Sequence, residues 1–106
     1  MLLMRIERWD AHRDGPLSAP ALQQKLQARG YQVSTQNYPA GTVASTPADV
    51  VERIQAIVSG LVKVTIDGES AILTAGDLVF VPPGAVRRLE VVGPSSALCL
   101  EGTPRA

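Results

Sequence analysis

Few residues in this 106-residue chain have side chains able to do chemistry: one histidine, His12, one cysteine, Cys99, and two tyrosines, Tyr31 and Tyr38. A mononuclear metal site needs three or four converging imidazole, thiolate or carboxylate ligands. His12 stands alone in an N-terminal loop segment and reads as a surface residue, not as a ligand. Cys99 lies between Leu98 and Leu100 and reads as a small core residue. The two phenols sit at the ends of a strand-like segment and read as cover for the core. Arginine is left as the more informative group. In the segment 50–58, VVERIQAIV, strand alternation places Arg53, Gln55 and Ile57 on one face and Glu52, Ile54, Ala56 and Val58 on the other. A guanidinium pointing inward must find a carboxylate or another anion, because burying it unpaired is costly.

Strands must position these side chains. Residues 60–93 hold the clearest pattern: segments 61–66, 71–74, 78–81 and 86–92 alternate or are rich in β-branched residues. Asp67-Gly68, Gly76-Asp77 and Pro82-Pro83-Gly84 separate them. Asp67-Gly68 is a two-residue hairpin turn in which glycine takes a positive φ, and the two prolines cannot donate to a ladder. Segments 5–9, 31–38, 50–58 and 97–100 complete the expected strands, with 42–49 a loop or ragged strand. One short helix is expected over 21–29, with Ser18 as its N-cap, Pro20 in its first turn and Gly30 at its end. Residues 10–17 read as loop. The apolar outward stripe Ile54, Ala56 and Val58 needs a cover, and a two-fold homodimer is the expectation that follows.

Ten basic and ten acidic residues cancel, so no electrostatic footprint for nucleic acid or an anionic membrane is present. A single cysteine cannot form an internal disulfide, and the leading MLLM is too short for a signal peptide or a span. A cytoplasmic, single-domain protein is expected, with a strand, loop and helix over 1–30, a barrel over 31–100 and a tail over 101–106.

The spacing of turns resembles that of a small single-domain cupin over residues 31–100. Cupins carry a glycine, a His-x-His pair, a glutamate and a glycine, followed later by a glycine, Pro-x-Gly and a histidine. Here the turn positions are kept as Gly41, Gly60, Gly76, Pro82 and Gly84. The ligand positions are not: Pro47, Asp49, Arg53 and Arg87 stand there, and Glu52 is one residue off, on the opposite face. The resemblance implies an all-β double-stranded β-helix, a jelly-roll barrel, with Asp49, Arg53 and Arg87 at its mouth and Gln55 beside them. Arginine has no lone pair for a metal, so neither metal nor other cofactor is expected. Three arrangements then stand open. Asp49 is sandwiched between the arginines as a buried ion cluster, or the surplus positive charge captures a small anionic ligand, or Arg53 or Arg87 points to solvent as most arginines do. The functions implied are a metal-free binding, sensor or accessory module or, as the alternative, a metal-independent isomerase, epimerase or lyase. Ligand loss argues against a metal-dependent dioxygenase. Arg88, next to Arg87, should face outward.

Overall fold

The computed structural model describes residues 4–105. The chain runs β1 (Arg5–Arg8), α1 (Ala11–Asp14), α2 (Ala19–Ala28), β2 (Tyr31–Tyr38), β3 (Val43–Thr46), β4 (Arg53–Ser59), β5 (Val62–Ile66), β6 (Glu69–Leu73), β7 (Asp77–Val81), β8 (Arg87–Val91) and β9 (Ala97–Pro104). The strands form two antiparallel sheets, one ordered β1-β7-β4-β9-β2 and the other β3-β8-β5-β6. Residues 1–3 of the leading apolar stretch, and residue 106 at the end of the expected tail, lie outside the described residues. No described helix is long and apolar enough to cross a membrane.

Alternation fixes which side chains meet between the sheets. Ile57, Val79 and Cys99 from one sheet pack against Val62, Val64, Leu89 and Val91 from the other. Burying such side chains contributes about 1.5–3 kcal/mol each, which makes this inner layer the main adhesive between the sheets. Asp67 and Gly68 both have positive φ, 51° and 80°, as a type I′ turn between β5 and β6 requires.

A second apolar layer lies outside the five-stranded sheet. Leu22 and Leu26 of α2, four residues apart, are fully buried against Ile54, Ala56, Leu78, Phe80 and Leu100. Ser18 caps this helix by accepting from Ala21 N, and it starts at Ala19, two residues before the sequence expectation. The outward stripe of β4 is therefore covered by the chain's own helix. That removes the physical motive for placing a homodimer contact there.

Three further departures concern the ends of elements. Residues 11–14 are helical, not loop, because the Asp10 carboxylate accepts from the N–H groups of His12 and Arg13. Lys25 then ties the short turn to α2 through Asp14 at 2.7 Å and lies 5.1 Å from the Trp9 ring centre. The strand expected over 50–58 begins only at Arg53. In the opposite direction, β9 continues past Leu100 to Pro104 and pairs with the whole of β2. Gly102 permits this continuation: a Cβ there would come within 2.8 Å of Ile54 Cγ2.

Candidate functional site

Three of the strands that line the interior, β4, β8 and β9, change from apolar to polar toward the same end of the barrel, while β5 and β7 stay apolar there with Ile66 and Val81. Inward positions run Ile57, Gln55, Arg53 along β4, Val91, Leu89, Arg87 along β8, and Ala97, Cys99, Glu101, Thr103 along β9. The polar ends enclose a cavity of about 360 Å³ lined by Arg53, Gln55, Arg87 and Glu101. Gln32, Ser34 and Thr103 form its outer wall.

Arg87 is the anchored member, with only 4 % of its surface exposed. Its guanidinium donates to Gln55 Oε1 and, at 2.6 Å, to Thr46 Oγ1, and it lies 3.7 Å from Glu101. Glu101 also accepts from the Tyr38 hydroxyl. Burial pushes that phenol up to about 12, reinforced by the Glu101 carboxylate and opposed by Arg87, so Tyr38 stays a donor at neutral pH. Burial likewise pushes the Cys99 thiol up to about 11, with the Gln55 amide only partly opposing it, so Cys99 is an inert core thiol. Arg53 differs from Arg87. It donates to the Ala85 carbonyl at 3.1 Å and has no ion-pair partner among the described residues. The Nε atoms of both arginines and Nε2 of Gln55 are buried without a hydrogen-bond partner among the described residues.

The structure brings Arg53, Gln55 and Arg87 together and leaves Asp49 apart. Asp49 is exposed, and its carboxylate accepts from Val50 N at 2.6 Å. Its carbonyl accepts from Gly84 N at 2.8 Å, so its backbone, not its side chain, touches the second turn. Strand β3 stops at Thr46 and Pro47 follows, which leaves Asp49 in a loop where strand alternation no longer aims its side chain. The ion cluster centred on Asp49 is thus not formed. Glu101, expected in the tail, supplies the carboxylate facing Arg87 instead. Counting alternate residues onward from Cys99 would have found it. Thr46 and Tyr38 were reachable in the same way from the inward register of their strands. Arg88 faces out as expected, its side chain 50 % exposed against 5 % for Arg87. Glu52 lies on the opposite face from Arg53, where it accepts from Tyr31, and burial followed by that contact raises the Tyr31 phenol to about 12.

The family model for the cupin domain matches residues 34–101, well over half of the chain. The chain belongs to the cupin family. Similar solved structures agree with this assignment. A cupin protein from Bacteroides fragilis is 31 % identical with a TM-score of 0.63, over 80 % of this cupin and 74 % of that chain. KdgF from a Halomonas species is 20 % identical with a TM-score of 0.62, over 73 % of this cupin and 72 % of that chain. The Cnp3 cupin domain of Schizosaccharomyces pombe is 15 % identical with a TM-score of 0.67, and this cupin spans 54 % of that chain. No curated protein matches the sequence. With two antiparallel sheets closing over one interior, the cupin has a jelly-roll fold.

A metal, which the fold family implies, does not fit the residues at the mouth of this cupin. Arg53 and Arg87 occupy positions where ligands would stand, and guanidinium groups repel a cation and offer it no lone pair. Among the described residues Glu101 is the one carboxylate lining the cavity, and it is engaged by Tyr38 and Arg87. No group of three or more histidine, cysteine, aspartate or glutamate residues able to hold a metal occurs among the described residues.

Proposed function

We propose that this cupin is a metal-free module that binds a small anion at the barrel mouth, acting as a sensor or accessory protein. One observation carries the reading: two guanidinium groups line the cavity against a single carboxylate, and that carboxylate serves Arg87. Arg53 is left with a backbone carbonyl as its sole hydrogen-bond partner among the described residues. A half-buried guanidinium so placed favours an incoming carboxylate or phosphate through paired N–H donors. The cavity, about 360 Å³, falls within the usual range of small-molecule sites. Binding to the native state alone raises its stability, by about 2.7 kcal/mol at a hundred times the Kd. A panel of small carboxylates and phosphate at low ionic strength should therefore raise the melting temperature of the wild-type protein and not that of Arg53→Gln. No response to any anion, or an undiminished response in the variant, would overturn the reading.

The metal-independent isomerase, epimerase or lyase alternative gains support from Glu101, a positioned carboxylate of the kind that general-base chemistry requires. Deuterium exchange into a bound ligand in D₂O, abolished in Glu101→Gln, distinguishes that reading from simple binding.

A further inference from the structure

We infer that the anion taken by this mouth is an aliphatic monocarboxylate carrying hydroxyl groups; the inference rests on the anion reading above and narrows it. Charge sets the first limit. Two guanidinium groups and one carboxylate leave a single positive charge in the cavity lining. Glu101 is held in place by Tyr38 and Arg87, so the second negative group of a dianion would meet a fixed like charge. The two terminal nitrogens of Arg87 are already bonded to Gln55 and Thr46, which leaves one guanidinium, that of Arg53, free to take one carboxylate.

The opposite wall sets the second limit. Gln32 pairs with Thr103, and Ser34 pairs with Glu101, on two successive inward rungs of the β2–β9 ladder. Their side chains form a patch roughly 5 Å across the strands and roughly 7 Å along them. An amide, two hydroxyls and a carboxylate on such a patch match alcohols borne on neighbouring carbons of a short chain. No aromatic side chain is among the residues lining the cavity, so a ligand with a flat ring would find no stacking surface there.

Calorimetric titration of the full chain with four probes separates the possibilities. Gluconate offers one carboxylate and several hydroxyls, hexanoate lacks the hydroxyls, glucarate adds a second carboxylate, and inorganic phosphate removes the chain. Gluconate should bind at least about ten-fold more tightly than the other three, as one or two net hydrogen bonds dictate. Ser34→Ala combined with Thr103→Val should reduce gluconate to the level of hexanoate while leaving hexanoate unchanged. Glu101→Gln should raise the affinity for glucarate relative to gluconate. Ser34 and Thr103 sit at the outer wall, so unchanged hexanoate binding reports that their double variant is folded, while a cooperative urea transition followed by circular dichroism reports the same for Glu101→Gln. Equal or tighter binding of hexanoate, glucarate or phosphate overturns the inference and leaves the anion reading standing. Silence of all four probes overturns both.

Discussion

Replacing Arg87 tests whether the guanidinium network, and not apolar packing alone, orders the polar end of the barrel. Arg87→Met removes hydrogen bonds to Gln55 and Thr46 and an ion contact at 3.7 Å to Glu101. Each charge-assisted bond is worth about 1.5–3 kcal/mol, but removing the guanidinium also removes the cost of having buried it. The larger consequence falls on Gln55, which is 1 % exposed and whose Nε2 already has no partner among the described residues. Losing Arg87 orphans Oε1 as well, and an unsatisfied buried polar group costs about 1–3 kcal/mol. The single variant should therefore lose about 2–4 kcal/mol in urea unfolding followed by circular dichroism. Combining it with Gln55→Leu removes both polar partners, and the pair should recover about 1–3 kcal/mol relative to the sum of the single effects. A loss below about 0.5 kcal/mol for Arg87→Met, or additive behaviour in the double variant, would refute the reasoning.

The remaining predictions follow from local chemistry. Lys25 holds the Asp14 carboxyl down at about 2, so the α1–α2 tie should be present above the ordinary carboxyl value and be lost as pH falls from about 4 through about 2; Lys25→Met should flatten that acid limb, and an unchanged limb would contradict the role. Tyr31 and Tyr38 are both raised to about 12, so folding favours their protonated forms and their contribution to stability declines between about pH 10 and pH 12. Ultraviolet titration of the native protein should show almost no phenolate at pH values where the urea-unfolded chain is already half titrated; coincident curves would contradict the burial of the two phenols and, with it, their carboxylate contacts. Gly60 has a φ of 99°, and a Cβ there would sit 2.8 Å from the Ala97 backbone, so Gly60→Ala should cost about 3 kcal/mol or prevent folding; a near-neutral melting temperature would count against this packing.

The strands were legible because alternation and turn chemistry act locally. Asp67-Gly68 marks one hairpin unaided, and the alternation of Arg53, Gln55 and Ile57 with Ile54, Ala56 and Val58 gives both faces of β4. What covers the outer face was not legible. Two leucines on a ten-residue helix make a narrow stripe, and nothing local says that it meets β4 across the fold. The site divides along the same line. Arg87 and Arg53 follow from strand parity and the spacing of turns, whereas Asp49 depends on a register that ends at Thr46, one residue before Pro47. Glu101 was hidden by Gly102 and Pro104, which weaken a strand reading in sequence. In the fold, Gly102 is what lets β9 pass close to Ile54 and carry Glu101 and Thr103 into the mouth.

The account's central claim is that an anion enters beside Arg53, with Arg87 behind it and Arg88 outside. Nuclear magnetic resonance of arginine Nε–Hε groups reads all three positions in one titration. On adding whichever of gluconate, hexanoate, glucarate or phosphate binds most tightly by calorimetry, the Arg53 and Arg87 resonances should shift together along a single binding curve while Arg88 stays still. Movement of Arg88 at the same concentrations, or a stationary Arg53, would contradict it.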